Sequence, residues 1–538
     1  MPSQPRSVAL AAAAAAAATL VSFSVVSFYR QRRAAAQSSK LTANEECVLS
    51  YPPTPPSRHW LFGHALSLQP KPDLPKASHD LRFLEWMKRL KSKVVMFELP
   101  VLGRMIVVGD PDVARYVLVT ANFRKSPTYG GMVPLIGKKS MVATEGKVWA
   151  SQRKLYNPGF SPEFLRGVVT TIIHKCNRFV SQCDDDIKNR SPTDMLARSV
   201  DLTSDVIAQV AFGEDWGVYD GSNEGLRTLQ TIRDLTVVVG ENMSNPIQRY
   251  FGLRSMWKTR RLSAELDREM QRLVLRRLEK LRTSSQDSDV KQKDILSLTL
   301  SSVMHSKKSA DPMDISFSAD DMENMTSQLK TFYFAGHDTT ATTIAWAYWL
   351  LVQNPAKLET ARAEVVDKLG QYWAEDALLG HKLCTMTYEE LQKCQYLDAV
   401  ARETLRLYPP AASTRYAADP GVSFGGYKLG DSIIHLNFYA MQRDPDVWGE
   451  NCDSFAPERF LGEEGKKLVA SYSFLPFSKG SRDCIGKYFA LLETKIALAA
   501  LICRYDASVV DSDEVYTTRL TSIPMGGCKV NLRRRSAK

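Results

Sequence analysis

The ten residues Phe477-Ser478-Lys479-Gly480-Ser481-Arg482-Asp483-Cys484-Ile485-Gly486 place one thiol between two glycines. A cysteine ligates metal as its thiolate, and a thiolate on haem iron needs a tight loop, shelter from water and backbone N–H groups turned toward its charge. Gly480 and Gly486 let the chain turn and approach closely, Phe477 is placed to cover one side of the sulfur, and Arg482 is placed to reach an anionic haem propionate. Without its neighbours Cys484 would read as a small core residue.

A second group, Ala335-Gly336-His337-Asp338-Thr339-Thr340, lies inside an apolar helix pattern running from Met325 to Leu351. Glycine, an acid and two hydroxyls are poor helix formers, so this stretch predicts a loosened ladder with room for oxygen and water. A capping or helix-packing role explains the same residues about as well. Glu403 and Arg406 share a helix face at i and i+3, ahead of Pro409-Pro410. Alone, such a pair is a surface contact worth under about 1 kcal/mol. Trp149 and Arg153 share a face at i and i+4, and Arg415 follows the double proline.

The pattern Phe-x-x-Gly-x-Arg-x-Cys-x-Gly at 477–486 matches the haem-binding loop of the cytochrome P-450 superfamily throughout, and the chain resembles its microsomal, eukaryotic haem-thiolate monooxygenases. The resemblance implies that Cys484 is the axial ligand to the iron of haem b (iron protoporphyrin IX). It further implies that Arg482, Trp149, Arg153 and Arg415 hold the propionates, while Phe477, Gly480 and Gly486 shape the loop. Thr339 would hydrogen-bond activated dioxygen and Asp338 would relay protons, so that the O–O bond breaks heterolytically. His337 occupies a position that varies in the family, and a second axial ligand would block the oxygen site, so it is expected on the outer helix surface. Phe455-Ala456-Pro457-Glu458-Arg459-Phe460 matches the family's meander, whose Arg459 would join Glu403 and Arg406 in a buried network.

The activity so implied inserts one oxygen atom from O2 into a lipophilic small molecule, by hydroxylation or epoxidation. Electrons would come from NADPH through a separate NADPH-cytochrome P-450 reductase, because the chain has no dinucleotide fingerprint of its own. Some of Lys479, Arg482, Lys487, Arg153 and Lys154 would form a cationic docking patch for that partner. Substrate-lining segments placed by analogy, 126–137, 212–243, 411–414 and 522–525, are merely lipophilic. An alanine-rich N-terminus, a divergent middle and no sterol-demethylase signature point to fungal-like secondary metabolism, with a polyketide or terpenoid substrate. Fatty-acid or xenobiotic hydroxylation is the alternative. An isomerase or dehydratase without external electrons, or a haem sensor, are alternatives of another class; the Asp338-Thr339 pair opposes the first and the single axial ligand the second.

The elements that must position these groups are mostly helical, and the fold implied is mainly α with small β-sheets. Val94–Glu98 and Arg104–Val108 are β-rich runs around Pro100 and Gly103, a hairpin. Asp110-Pro111 opens a helix with Asp as cap. Helix patterns fill 162–369, with a charged amphipathic stretch at 255–281 and a polar loop at 283–293, and strand-like pieces return near 421–436 and 515–530. Tyr51-Pro52-Pro53-Thr54-Pro55-Pro56 cannot continue a helix and reads as a hinge, dividing residues 1–50 from a catalytic domain at 51–538.

Val8 to Tyr29 is an uncharged stretch of 22 residues, long enough at ~1.5 Å per residue to cross a ~30 Å hydrocarbon core. Arg30, Arg32 and Arg33 follow and only Arg6 precedes, which leaves the remainder cytosolic and predicts a single-pass anchor in the endoplasmic reticulum membrane. A cleaved signal peptide and a mitochondrial presequence also fit a mildly hydrophobic segment with no acid before Glu45. The net charge of +11 is spread along the chain with no basic, aromatic-interleaved stripe, which excludes nucleic acid as a partner and favours an acidic membrane surface or protein. Nine cysteines without a CxxC pair exclude a disulfide scaffold and a zinc ribbon. Full-length protein is expected to stay in the membrane pellet after carbonate washing; its release into the supernatant would rule out the anchor.

Overall fold

In the computed structural model, residues 50–535 are described apart from 57, 60–62, 65–77, 100–101, 218–222, 245–251, 284–293, 307–316 and 371–385. The expected membrane segment at 8–29 lies outside the described residues, and among those described no helix is long and apolar enough to cross a membrane. The principal helices, numbered in chain order, are α1 (His79–Leu90), α2 (Gly146–Tyr156), α3 (Pro162–Lys188), α4 (Met195–Ile207), α5 (Asn223–Ser244), α6 (Leu253–Thr283), α7 (Ala319–Gln353), α8 (Gln395–Leu407) and α9 (Lys487–Arg504).

Strands β1 (Val94–Leu99), β2 (Gly103–Val108), β3 (Arg124–Lys125), β4 (Ser413–Ala417) and β5 (Ser432–Leu436) form one sheet in the order β1-β2-β5-β4-β3. The β1–β2 hairpin is the one expected from sequence, with Val94 opposite Val108, and Gly103 takes φ +74° at its turn. Asp110 caps the next short helix, its carboxylate accepting from the N–H groups of Asp112 and Val113 at 2.9 Å. A further hairpin pairs β6 (Tyr516–Thr518) with β7 (Ser522–Pro524). The proline run is less of a hinge than its composition suggests. Pro52 and Pro55 are buried, Pro53 O accepts from Met96 N–H on β1 (3.0 Å), and His64 Nε2 lies 3.0 Å from Pro55 O.

Helix α7 runs through the core. It starts at a reciprocal cap between Ser318 and Asp321, is buried on nearly every side from Met325 to Val352, and packs against α4, α6, α8 and α9. Where the sequence predicted a loosened ladder, the helix is continuous across Gly336 to Thr340. Gly336 has a packing reason, since a Cβ there would lie 3.0 Å from Ile207 Cδ1 where α4 crosses. His337 is likewise not on the surface. It is 3% exposed, its Nδ1 lies 2.9 Å from Tyr333 O, its ring stacks on Tyr333, and its carbonyl accepts from Thr203 Oγ1 at 2.6 Å. Tyr333 and α4 enclose it on a helix that is buried on nearly every side.

On α8, Glu403 and Arg406 are both fully buried and meet in two parallel hydrogen bonds of 2.7 and 2.8 Å. Arg406 also donates to the carbonyls of Gln442 (2.8 Å), Cys452 (2.6 Å) and Ser454 (3.1 Å), so one guanidinium ties the helix to three points of the 442–454 segment. Arg459 approaches Glu403 at 3.6 Å and gives its hydrogen bonds to Trp448 O (2.6 Å) and Asn451 O (2.9 Å). A buried pair whose partner is deleted leaves an uncompensated charge. Glu403→Ala is therefore expected to cost ~3–5 kcal/mol of stability, read as a lowered urea midpoint. An unchanged midpoint would show that the pair does not hold this segment.

Candidate functional site

The chain reaches Cys484 through a loop closed by its own backbone. Ser478 N–H donates to Leu475 O (2.8 Å), Asp483 N–H to Gly480 O (3.2 Å) and Cys484 N–H to Phe477 O (2.9 Å). Ser478 and Gly480 both lie at positive φ, +56° and +80°. At Gly480 a Cβ would also stand 2.8 Å from Leu118 O, so glycine is required there. Gly486 is different. With φ −88° at the start of α9, and room for a Cβ no closer than 3.8 Å to Phe160, it meets no protein atom that requires glycine. Phe477 packs on Ala401, Leu405 and Leu491, which docks the loop onto α8 and α9.

Burial pushes the Cys484 thiol upward in pKa, and a hydrogen bond from the Gly486 N–H draws it back. Among the seven described cysteines, Cys484 is the single one classed as exposed; Cys503 is intermediate and the rest are buried.

Three cations gather beside this loop. Arg482 stacks over Trp149 at 4.1 Å, donates to Thr144 O (2.9 Å) and pairs with Glu145. Arg415 is 2% exposed, donates to Ser413 Oγ (2.7 Å), and has no carboxylate at ion-pair distance among the described residues. The sheet register sets Lys125 of β3 directly opposite Arg415 of β4. Burial, then the neighbouring Arg415 and Arg482, push Lys125 downward in pKa, and burial does the same to Arg415. A half-buried tyrosine, Tyr129, stands among them, with Lys125 Nζ 4.9 Å from its ring centre and its hydroxyl accepting from Thr414 N–H (3.4 Å).

Arg153 of α2 turns to Asp483, donating to its carbonyl (2.8 Å) and carboxylate (2.9 Å), and Lys487 reaches the same carboxylate at 2.9 Å. Lys479 folds back on the carbonyls of Val469 (3.0 Å) and Ser471 (2.6 Å), and burial, then nearby Lys487, bring its pKa down to about 8. Of the five cations considered for a docking patch, Arg153, Arg482, Lys479 and Lys487 thus have internal partners. Lys154 remains exposed and Lys487 partly so.

On α7, Ala335 is exposed and Gly336, Asp338 and Thr339 are half-buried, although buried residues flank them on both sides. They interrupt the burial of the helix midway along its core length. The Thr339 hydroxyl donates to Ala335 O (2.7 Å), and Asp338 accepts from Thr521 of the β6–β7 turn. The structure therefore brings Trp149, Arg153 and Arg482 to the Cys484 loop and keeps Asp338 and Thr339 on α7, which packs on α9 next to that loop. Lys125, Tyr129, Glu145, Asp483 and Thr521 were not singled out from sequence. No motif marks them, because strand register and loop closure alone bring them in.

These residues fit a haem. An accessible thiol with an N–H donor suits an axial ligand, and a desolvated cluster of Lys125, Arg415 and Arg482, offset only by Glu145, suits two propionates. A buried guanidinium with no acid partner is unfavourable until an anion completes it.

The cytochrome P-450 family model matches residues 52–526. Cytochrome P-450 4A12 of Rattus norvegicus is 26% identical over 90% of this chain and 88% of its own, and cytochrome P-450 4Z1 of Homo sapiens is 26% identical over 90% and 89%. Cytochrome P-450 72A397 of Kalopanax septemlobus is 28% identical over 79% and 78%. The crystal structure of the cytochrome P-450DA heme domain superposes with TM-score 0.73 at 21% identity, covering 91% of this chain and 99% of that one. This last likeness bears on the fold alone.

Burial opposes ionisation of Tyr129, yet Lys125 and Arg415 outweigh it and lower the phenol to about 8. The unfolded chain, with a tyrosine near pH ~10, binds more protons between these values, so stability from this group is present above the unfolded value and lost as pH falls through the folded one. The tyrosinate absorbance of the parent minus that of Tyr129→Phe is expected to step near the lower value. Identical titration of the two proteins through that range would refute the cluster's charge.

Proposed function

The chain belongs to the cytochrome P-450 family, and we propose that it inserts one oxygen atom of O2 into a lipophilic small molecule with Cys484 as the axial thiolate. As a family member it is an oxidoreductase of the monooxygenase type, using haem b and electrons from NADPH through a reductase. When bound, the haem supplies dioxygen activation, which a thiolate ligand favours by pushing electron density toward O–O cleavage. The chain's own groups do the rest. Cys484 would hold the iron, with the Gly486 N–H tempering the sulfur's charge. Arg415 and Arg482 would hold the propionates, Trp149 carries the Arg482 guanidinium on its face, and Arg153 fixes the loop through Asp483. Thr339 presents a hydroxyl beside Ala335, and Asp338 moves protons toward it. Glu403, Arg406 and Arg459 hold the segment below.

The observation that carries this reading is one accessible, desolvated cysteine beside a buried cation cluster short of anions. For the substrate, the likeness to the 4A and 4Z relatives supports fatty-acid or xenobiotic hydroxylation over secondary metabolism. A membrane anchor within residues 1–50, a catalytic domain at 51–538, cytosolic exposure at the endoplasmic reticulum and reductase docking through Lys154 and Lys487 belong to the same reading.

Reduced, CO-treated protein is expected to show the strongly red-shifted main band of thiolate ligation, and Cys484→Ser to lose it. A parent spectrum of nitrogen ligation would end the assignment. With reductase present, NADPH-dependent oxygen consumption should rise on adding long-chain fatty acids more than on adding polyketides or terpenoids. Turnover without NADPH would instead favour an isomerase or dehydratase.

A further inference from the structure

The turn between β6 and β7 enters the core at Thr521, which is 6% exposed, and its hydroxyl donates to Asp338 Oδ2. The turn is held from several sides. Arg519 N–H donates to Thr521 O (2.9 Å), Ser522 N–H donates to Pro410 O (2.8 Å), and a Cβ on Gly240 of α5 would stand 3.6 Å from Leu520 N. Thr339 and Asp338 are adjacent in sequence but held differently. Thr339 bonds within its own helix, whereas Asp338 is held by a residue 183 positions away.

A carboxylate on a helix turns freely about its side-chain torsions, and a proton relay works only when it stays within hydrogen-bond reach of donor and acceptor. A hydroxyl donor on Oδ2 removes that freedom and leaves Oδ1 to exchange a proton. We infer that Thr521 is the positioning residue for Asp338, and that through this turn the carboxylate's placement is tied to α5 and to the Pro409-Pro410 corner. The inference rests on the reading of Asp338 as a proton relay.

The test compares Thr521→Val, which removes the hydroxyl at nearly constant shape, with Thr521→Ser, which keeps it, in the haem-loaded, full-length protein with reductase. Thr521→Val is expected to lower kcat and product formed per NADPH by about threefold or more, with KM unchanged and peroxide rising, and Thr521→Ser to restore both. Urea midpoints give a readout independent of turnover. Thr521→Val should lower the midpoint in the parent and leave it unchanged in an Asp338→Ala background. An equal drop in both backgrounds, or full coupling in Thr521→Val, overturns the inference. If Asp338→Ala itself retains full coupling, the relay reading fails and the inference falls with it, while the urea comparison still reports whether the bond exists. If Asp338→Ala loses coupling and Thr521→Val does not, only the inference fails.

Discussion

Glu403 and Arg406 meet out of reach of water, and the path from this pair to Cys484 is an unbroken series of hydrogen bonds. Arg406 donates to Gln442 O, and the Gln442 amide donates back to the carbonyls of Leu405 (3.0 Å) and Arg406 (2.9 Å). Gln442 Oε1 then accepts from Leu475 N–H (2.9 Å), Leu475 O accepts from Ser478 N–H, and Phe477 O accepts from Cys484 N–H. Such a network has value only while every member is satisfied, because low dielectric strengthens each bond and penalises each missing one. The thiol's position is in this sense decided on α8.

The second constraint is electrostatic. Pairing β3 with β4 sets Lys125 against Arg415, and the Cys484 loop adds Arg482 to the same region. Like charges brought together in a desolvated place destabilise the fold unless something negative joins them. Here the protein supplies Glu145 and a tyrosine whose phenol is eased toward ionisation. A dicarboxylate such as haem would complete that arrangement, and the cost of burying the cations would then be returned as affinity for it.

Helix α7 obeys a different logic. Its continuity comes from burial on nearly all sides, with α4 crossing so closely at Gly336 that the glycine is a packing residue as well as a neighbour of the proposed chemistry. Between Met325 and Val352 only the short stretch from Ala335 to Thr339 has residues that are not buried, and its acid is held by a hairpin turn that also approaches α5. The Asp338 carboxylate and α5 are in that way physically joined.

By itself the amino-acid order determined the loop chemistry around Cys484, the α8 acid and base, the β1–β2 hairpin and the long apolar α7, because each is a local pattern whose period or spacing is set by a few neighbouring residues. Tertiary structure decided what local pattern cannot express. It buried His337 instead of exposing it, turned Arg153 and Lys479 inward, left Gly486 meeting no protein atom that requires glycine, and brought Lys125, Tyr129 and Thr521 to positions no motif announces. Those outcomes depend on which strand lies beside which and which helix crosses where, and such contacts join residues hundreds of positions apart whose types alone carry no record of the meeting.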